Sequence, residues 1–303
     1  MNEGKRAVLL ELSTGVGKSA TGITISRYME SHAPPVKDAD GMPLTGAYIL
    51  TTQKILQKQY MDDFGPTSGR SLLRSLKSSS NYRCQFYEDQ SCAESKKLLM
   101  KLGKQLKGTD FQKQCKDNCT YSLEKQDFIE SPLSITNFSY FLAETAYSGK
   151  LTPRSMLVID ECHNIENELG KFVEVSFSEK FARDVLKCRL PKGQTQREIF
   201  DWVCSTYRKS VNKYVRELEK NLVKISETTS GYGEFSKQYE MLEKHVGKID
   251  QFVEIYKDDN WAMNVKLPLD GNRRAAKKFE FKPVDVSKYS NLLFRSGARL
   301  LMM

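Results

Sequence analysis

Ser13-Thr14-Gly15-Val16-Gly17-Lys18-Ser19 follows a short apolar run, Ala7 to Leu12, and precedes a stretch of small and apolar residues suited to a helix. Strand, glycine-rich loop and helix together make the setting of a phosphate loop. The glycines let backbone amides approach phosphate oxygens and the helix N-terminus adds partial positive charge. Lys18 reaches the outer phosphates, and the Ser19 hydroxyl ligates Mg2+. Leu12 stands where the full eight-residue pattern begins with Gly, so a glycine-rich turn with an incidental lysine is the alternative.

A second group is Leu157-Val158-Ile159-Asp160-Glu161-Cys162-His163, an apolar strand that delivers two carboxylates at its C-terminal end. Beside a phosphate loop in the same sheet, Asp160 holds Mg2+ through its water shell and Glu161 polarises the attacking water. Alone, the same run also reads as a capped strand end. The third group is Cys84, Cys92, Cys115 and Cys119, spaced C-x7-C-x22-C-x3-C. That spacing is neither a zinc ribbon of paired CxxC motifs nor the familiar ferredoxin pattern. Cys162, Cys188 and Cys204 are scattered and read as small core residues.

The elements that position these groups follow from patterning. Ala7 to Leu12, Ala47 to Thr51, Leu133 to Thr136 and Met156 to Asp160 are short apolar runs of the kind buried on both faces of a parallel sheet. Helical stretches alternate with them, from Ala20 to Tyr28, over Ile55 to Phe64, and from Asn137 to Tyr147. The predicted fold is α/β with a parallel sheet. From Gly65 to about Lys125 the composition turns to Ser, Arg, Lys and Cys with no strong strand pattern, which reads as an insertion. Its basic residues, interleaved with Tyr82, Phe86 and Tyr87, suit either phosphate and base contacts on single-stranded nucleic acid or a solvated face. Two helical periodicities, Gln196 to Ser226 and Phe235 to Tyr256, flank a breaker at Thr228 to Gly233 and predict an antiparallel hairpin. Trp261 to Leu269 and Lys278 to Val286 alternate like short strands leading back to the sheet, and Ala298 to Met303 starts another buried strand.

The 303 residues, 39% hydrophobic and 28% charged, suffice for one large core or two ordinary ones. No apolar run approaches the ~20 residues needed to cross a bilayer, so no membrane association is expected. Met-Asn-Glu-Gly-Lys-Arg begins neither a signal nor a transit peptide, which points to the cytoplasm of a bacterial or virus-infected cell, or the nucleus in a eukaryote. An odd count of seven cysteines in such a chain argues against a disulfide framework. The net charge of +9 fits polyanion binding or solubility alone.

Asp-Glu-Cys-His paired with Ser-Thr-Gly-Val-Gly-Lys-Ser resembles motifs II and I of superfamily 2 helicases, most closely the XPD/DinG family. Thr51-Thr52-Gln53-Lys54-Ile55-Leu56-Gln57 is similar to motif Ia, Ser134 to Leu142 to the segment before motif II, and Phe281 to Val286 to the return from the family's Arch. The resemblance implies a RecA-like domain interrupted twice. Residues 1–65 and 131–170 carry motifs I, Ia and II, 66–130 an iron–sulfur insertion, 171–280 a helical Arch-like insertion, and 281–303 the return to the sheet. It implies ATP and Mg2+ at Ser13 to Ser19 and Asp160, with His163 sensing the nucleotide or serving only structure. Thr52, Gln53, Asn137 and Tyr140 would contact nucleic acid. The four clustered cysteines would hold a [4Fe–4S] cluster, although Thr120 follows the last of them where the family has Pro; zinc and unligated thiols are the alternatives.

The implied activity is ATP-driven movement on single-stranded DNA, 5′ to 3′. It requires a second RecA-like domain, in cis or from a separate chain, since these residues end where motif III is expected. The competing reading is a non-catalytic nucleic-acid-binding module with a regulatory or structural nucleotide site. Glu161 favours the first, because binding alone needs no water-polarising carboxylate.

Overall fold

The computed structural model describes residues 5–13, 15–32, 34–65, 72–87, 90–95, 110–117, 119–149, 151–224, 232–267 and 276–303. Thr14 of the phosphate loop, Arg70 in the basic stretch and the breaker at Thr228 to Gly231 lie outside them. The chain divides into two compact units. One comprises Met1–Ser95, Lys107–Leu169 and Ser287–Met303; the other comprises Lys96–Leu106 and Gly170–Val286.

The strands in chain order are β1 (Ala7–Leu9), β2 (Val36–Lys37), β3 (Pro43–Leu44), β4 (Ala47–Thr51), β5 (Leu73–Ser75), β6 (Leu133–Asn137), β7 (Arg154–Ile159), β8 (Val175–Ser178), β9 (Trp261–Lys266), β10 (Lys278–Pro283) and β11 (Gly297–Met302). In the first unit six of them form one sheet in the order β1-β11-β7-β4-β6-β5, every pairing parallel. All residues of β4 and β7 are buried, as strands covered on both faces must be. This is the predicted α/β fold with a RecA-like parallel sheet. Helices α1 (Lys18–His32) and α2 (Lys54–Phe64) pack on the sheet and share a core with it through Ile23, Tyr60, Ile49, Ile135 and Val158. Among the described residues no helix is long and apolar enough to cross a membrane.

Two features depart from the expected elements. Leu73–Ser75 falls inside the stretch read as an insertion without strands, yet it joins the sheet as its edge through Leu73↔Leu133 and Ser75↔Ile135. β7 starts earlier than expected, at Arg154, a guanidinium only 5% exposed. It donates to Ala47 O and Ser134 Oγ at 3.0 Å, to Phe128 O at 3.1 Å and to Ile129 O at 2.8 Å, and stacks 4.1 Å from the Tyr48 ring centroid. One cation thereby ties β7 to β4, to β6 and to the last turns of α3 (Thr120–Glu130).

In the second unit β10 runs between β8 and β9, antiparallel to both. Both strands expected from the alternation in Trp261 to Leu269 and Lys278 to Val286 are present, and they form a separate sheet with β8 before the chain returns to β11. The helical path from Gln196 to Lys224 includes a π-helical stretch at Val203–Tyr207 and ends in α5 (Arg208–Lys224), which packs against α6 (Tyr232–Ile255). Phe177, Tyr207, Phe252 and Phe281 form the aromatic centre, with Phe177 within 6.0 Å of both Phe252 and Phe281. His245 lies against it with Nε2 3.0 Å from the Tyr207 hydroxyl. Burial, helped by the Lys248 charge, pushes its imidazole down to about 4, which makes it a neutral core residue.

Candidate nucleotide site

In a parallel sheet the loops after the strand C-termini gather at one edge, the usual place for a ligand. Here those loops carry the residues picked out in the sequence. After β1 the chain passes through Gly15 and Gly17, at φ +81° and +88°, a conformation that L side chains rarely adopt. Helix α1 then starts at Lys18, with Thr21 donating through both its amide and hydroxyl to Gly17 O. Ser13, Val16 and both glycines are exposed, while Lys18 and Ser19 are half-buried.

After β7, Asp160 is 4% exposed and both of its carboxylate oxygens are engaged. Oδ1 accepts from the Glu161 amide at 3.1 Å and Oδ2 from the Tyr60 hydroxyl at 3.2 Å. Burial raises the Asp160 carboxyl above its usual range, against the lowering effect of the Tyr60 bond. Glu161 occupies the left-handed region at φ 56°, which costs a non-glycine residue about 1 kcal/mol. The turn aims its carboxylate at the phosphate loop, with Oε1 3.4 Å from Lys18 Nζ and Oε2 3.3 Å from His163 Nδ1. His163 is itself 2.9 Å from the Asn164 amide through Nε2. Lys18, Asp160, Glu161 and His163 thus form one cluster, backed by the Tyr60 phenol that bonds Asp160.

A hydroxyl and a carboxylate are hard oxygen donors of the type Mg2+ takes, and Mg2+ needs only one or two protein ligands when phosphates and waters complete its shell. Ser19 and Asp160 fit that requirement. The cysteines fit theirs less well. Cys92 and Cys119 approach with sulfurs 3.7 Å apart, and Cys84 Sγ accepts from the Tyr87 amide at 3.4 Å. Burial raises the Cys119 thiol, but hydrogen bonds from Ser122 outweigh it and lower the thiol overall. Among the described residues no three His, Cys, Asp or Glu side chains gather closely enough to hold a metal. The donor chemistry suits a thiolate site, and Cys92 and Cys119 already lie side by side.

Of the expected nucleic-acid contacts, Thr52 and exposed Gln53 lie at the start of α2, on the loop after β4. Asn137 and Tyr140 are committed elsewhere. Asn137 Oδ1 caps α4 (Phe138–Ala143) by accepting from the Tyr140 amide at 3.0 Å. The Tyr140 ring is buried and its hydroxyl lies 3.0 Å from that of Tyr121, so it presents no face to a base. Tyr60, which the sequence offered only as one apolar position of a helix, enters the site unannounced.

The family model DEAD_2 matches residues 53–181, a stretch that contains Asp160, Glu161 and His163. DEAD_2 describes the N-terminal region of XPD/Rad3-like helicases, to which this chain is similar over that stretch. A solved structure described as truncated XPD resembles the whole chain in fold, with a TM-score of 0.50 and 15% identity over 100% of this chain and 89% of that one. At that identity the likeness to truncated XPD concerns the fold alone. No curated protein sequence matches the chain.

Proposed function

We propose that this chain is the nucleotide-hydrolysing portion of an ATP-dependent DNA helicase that moves along single-stranded DNA, 5′ to 3′ as the resemblance implies, together with a second RecA-like domain. The observation that carries the reading is the 3.4 Å contact between Lys18 and Glu161. It joins the phosphate loop to the carboxylate that would polarise water. An outer phosphate of ATP competes with Glu161 for the Lys18 ammonium, and its arrival frees the carboxylate to accept a proton from the attacking water. His163 holds the second oxygen of Glu161 throughout, which links that carboxylate to the loop beyond it. Bound at Ser19 and Asp160, Mg2+ would neutralise charge on the outer phosphates. Thr52 and Gln53 remain as nucleic-acid contacts. That Gly170–Val286 packs as a unit of its own supports the Arch-like reading of residues 171–280.

Glu161→Gln tests the reading directly. It keeps shape and removes the base, so ATP turnover in the presence of single-stranded DNA should fall by ~10² or more, within the usual contribution of a general base. Nucleotide affinity should stay within about threefold, since a base that acts only in the transition state adds little to ground-state binding. Unchanged turnover in the variant would remove Glu161 from catalysis and leave a nucleotide-binding module.

For Cys84, Cys92, Cys115 and Cys119 the proposal is a [4Fe–4S] cluster that organises the basic stretch around them. Protein purified without oxygen should be brown, absorb broadly near ~400 nm and contain about four irons per chain. Colourless protein with one zinc per chain would replace the cluster by a structural zinc site, and protein without metal would leave four ordinary thiols.

A further inference from the structure

We propose that Tyr60 is a positioning residue for the divalent-cation end of the nucleotide site, its phenol fixing the orientation of the Asp160 carboxylate. The inference rests on the nucleotide reading above and adds to it a residue that no motif contains.

Tyr60 lies on α2, and its ring belongs to the hydrophobic cluster of Ile23, Ile49, Ile135 and Val158. Packing alone would be served there by Phe or Leu. The hydroxyl is the part that apolar surroundings penalise, and it is spent on Asp160 Oδ2, to which it donates at 3.2 Å. Asp160 Oδ1 is held at the same time by the Glu161 amide at 3.1 Å. With one donor on each oxygen the carboxylate plane cannot rotate, while each oxygen keeps a lone pair for a cation or its bound water. The same α2 side chain thus reaches from the hydrophobic core to the carboxylate expected to face the cation. Partners that orient a metal-binding carboxylate typically govern affinity by 10- to 100-fold without touching the ion.

Tyr60→Phe keeps the ring and deletes the donor. Binding of a fluorescent ATP analogue to the full chain, titrated with Mg2+, should show a half-saturating Mg2+ concentration raised tenfold or more, in line with that range. Affinity for the same analogue in EDTA should not change, because the phenol's bond is to the Asp160 carboxylate, which meets the nucleotide only through the cation. Phe64→Leu serves as the packing control. Phe64 lies 6.1 Å from the Tyr60 ring, and its loss loosens that ring while leaving the hydroxyl in place. An equal Mg2+ shift in Phe64→Leu would make the effect one of packing and overturn the proposal. Identical Mg2+ titrations for wild type and Tyr60→Phe would overturn it too, with the nucleotide reading intact. If the wild-type chain binds no nucleotide with or without Mg2+, both fall together.

Discussion

Lys18→Ala is expected to lower Mg·ATP affinity at least a hundredfold by calorimetry. The ammonium is half-buried at 18% side-chain exposure, so it meets a phosphate in a partly desolvated setting where a charge-assisted bond is stronger than on an open surface. Losing about 3 kcal/mol there corresponds to roughly a hundredfold. Fold stability should hardly change. The ion pair that Lys18 makes with Glu161 is 3.4 Å long, and the cost of partly desolvating both charges offsets so loose a contact, leaving about 1 kcal/mol at most. A large loss of affinity without a shift in melting temperature is thus the signature of a phosphate ligand. Equal affinity in variant and wild type would end the phosphate-loop assignment.

The second large effect concerns architecture. Arg154→Met should destabilise the chain by about 3 to 5 kcal/mol in urea denaturation, because it leaves buried acceptors on three elements without their shared donor. Arg154→Lys should recover only part of this, since one ammonium cannot reproduce a planar fork that serves Ala47, Ser134, Phe128 and Ile129 together. A loss below about 1 kcal/mol in Arg154→Met would mean that water replaces the guanidinium and that its burial contributes little.

Arg154 also shows where sequence reading fails. Continuous apolar runs located β4 at Ala47–Thr51 without error, because both of its faces are covered and no polar residue interrupts it. The same criterion placed the start of β7 at Met156, since a charged side chain argues against a buried strand until its acceptors are seen. Leu73–Ser75 is three residues long and only Leu73 is fully buried, too little for any period to register. Strands β9 and β10 were legible as strands, but their pairing with β8 was not. Alternation reports a strand's two faces and says nothing about which neighbour lies along its edge.

The site divides in the same way. Gly15, Gly17, Lys18, Asp160 and Glu161 were legible because their chemistry demands those residue types at strand ends. Tyr60 and Tyr140 were not, because an aromatic in a helix looks the same whether its hydroxyl meets a carboxylate, another phenol or water.

The position of β11 has a consequence for how the molecule comes to exist. β11 lies between β1 and β7, and among the described residues β1 pairs with no other strand. The register Val8↔Leu301 joins residues nearly the whole chain apart. During synthesis β4, β6 and β7 can assemble while β1 waits without a partner until Gly297–Met302 leaves the ribosome, and closing so long a loop is slow. The phosphate loop hangs from β1, and the Cys162 amide beside Glu161 donates to Met303 O. The loops that carry Lys18 and Glu161 are therefore joined through β11, a strand far along the chain from the phosphate loop, and their alignment waits on its synthesis.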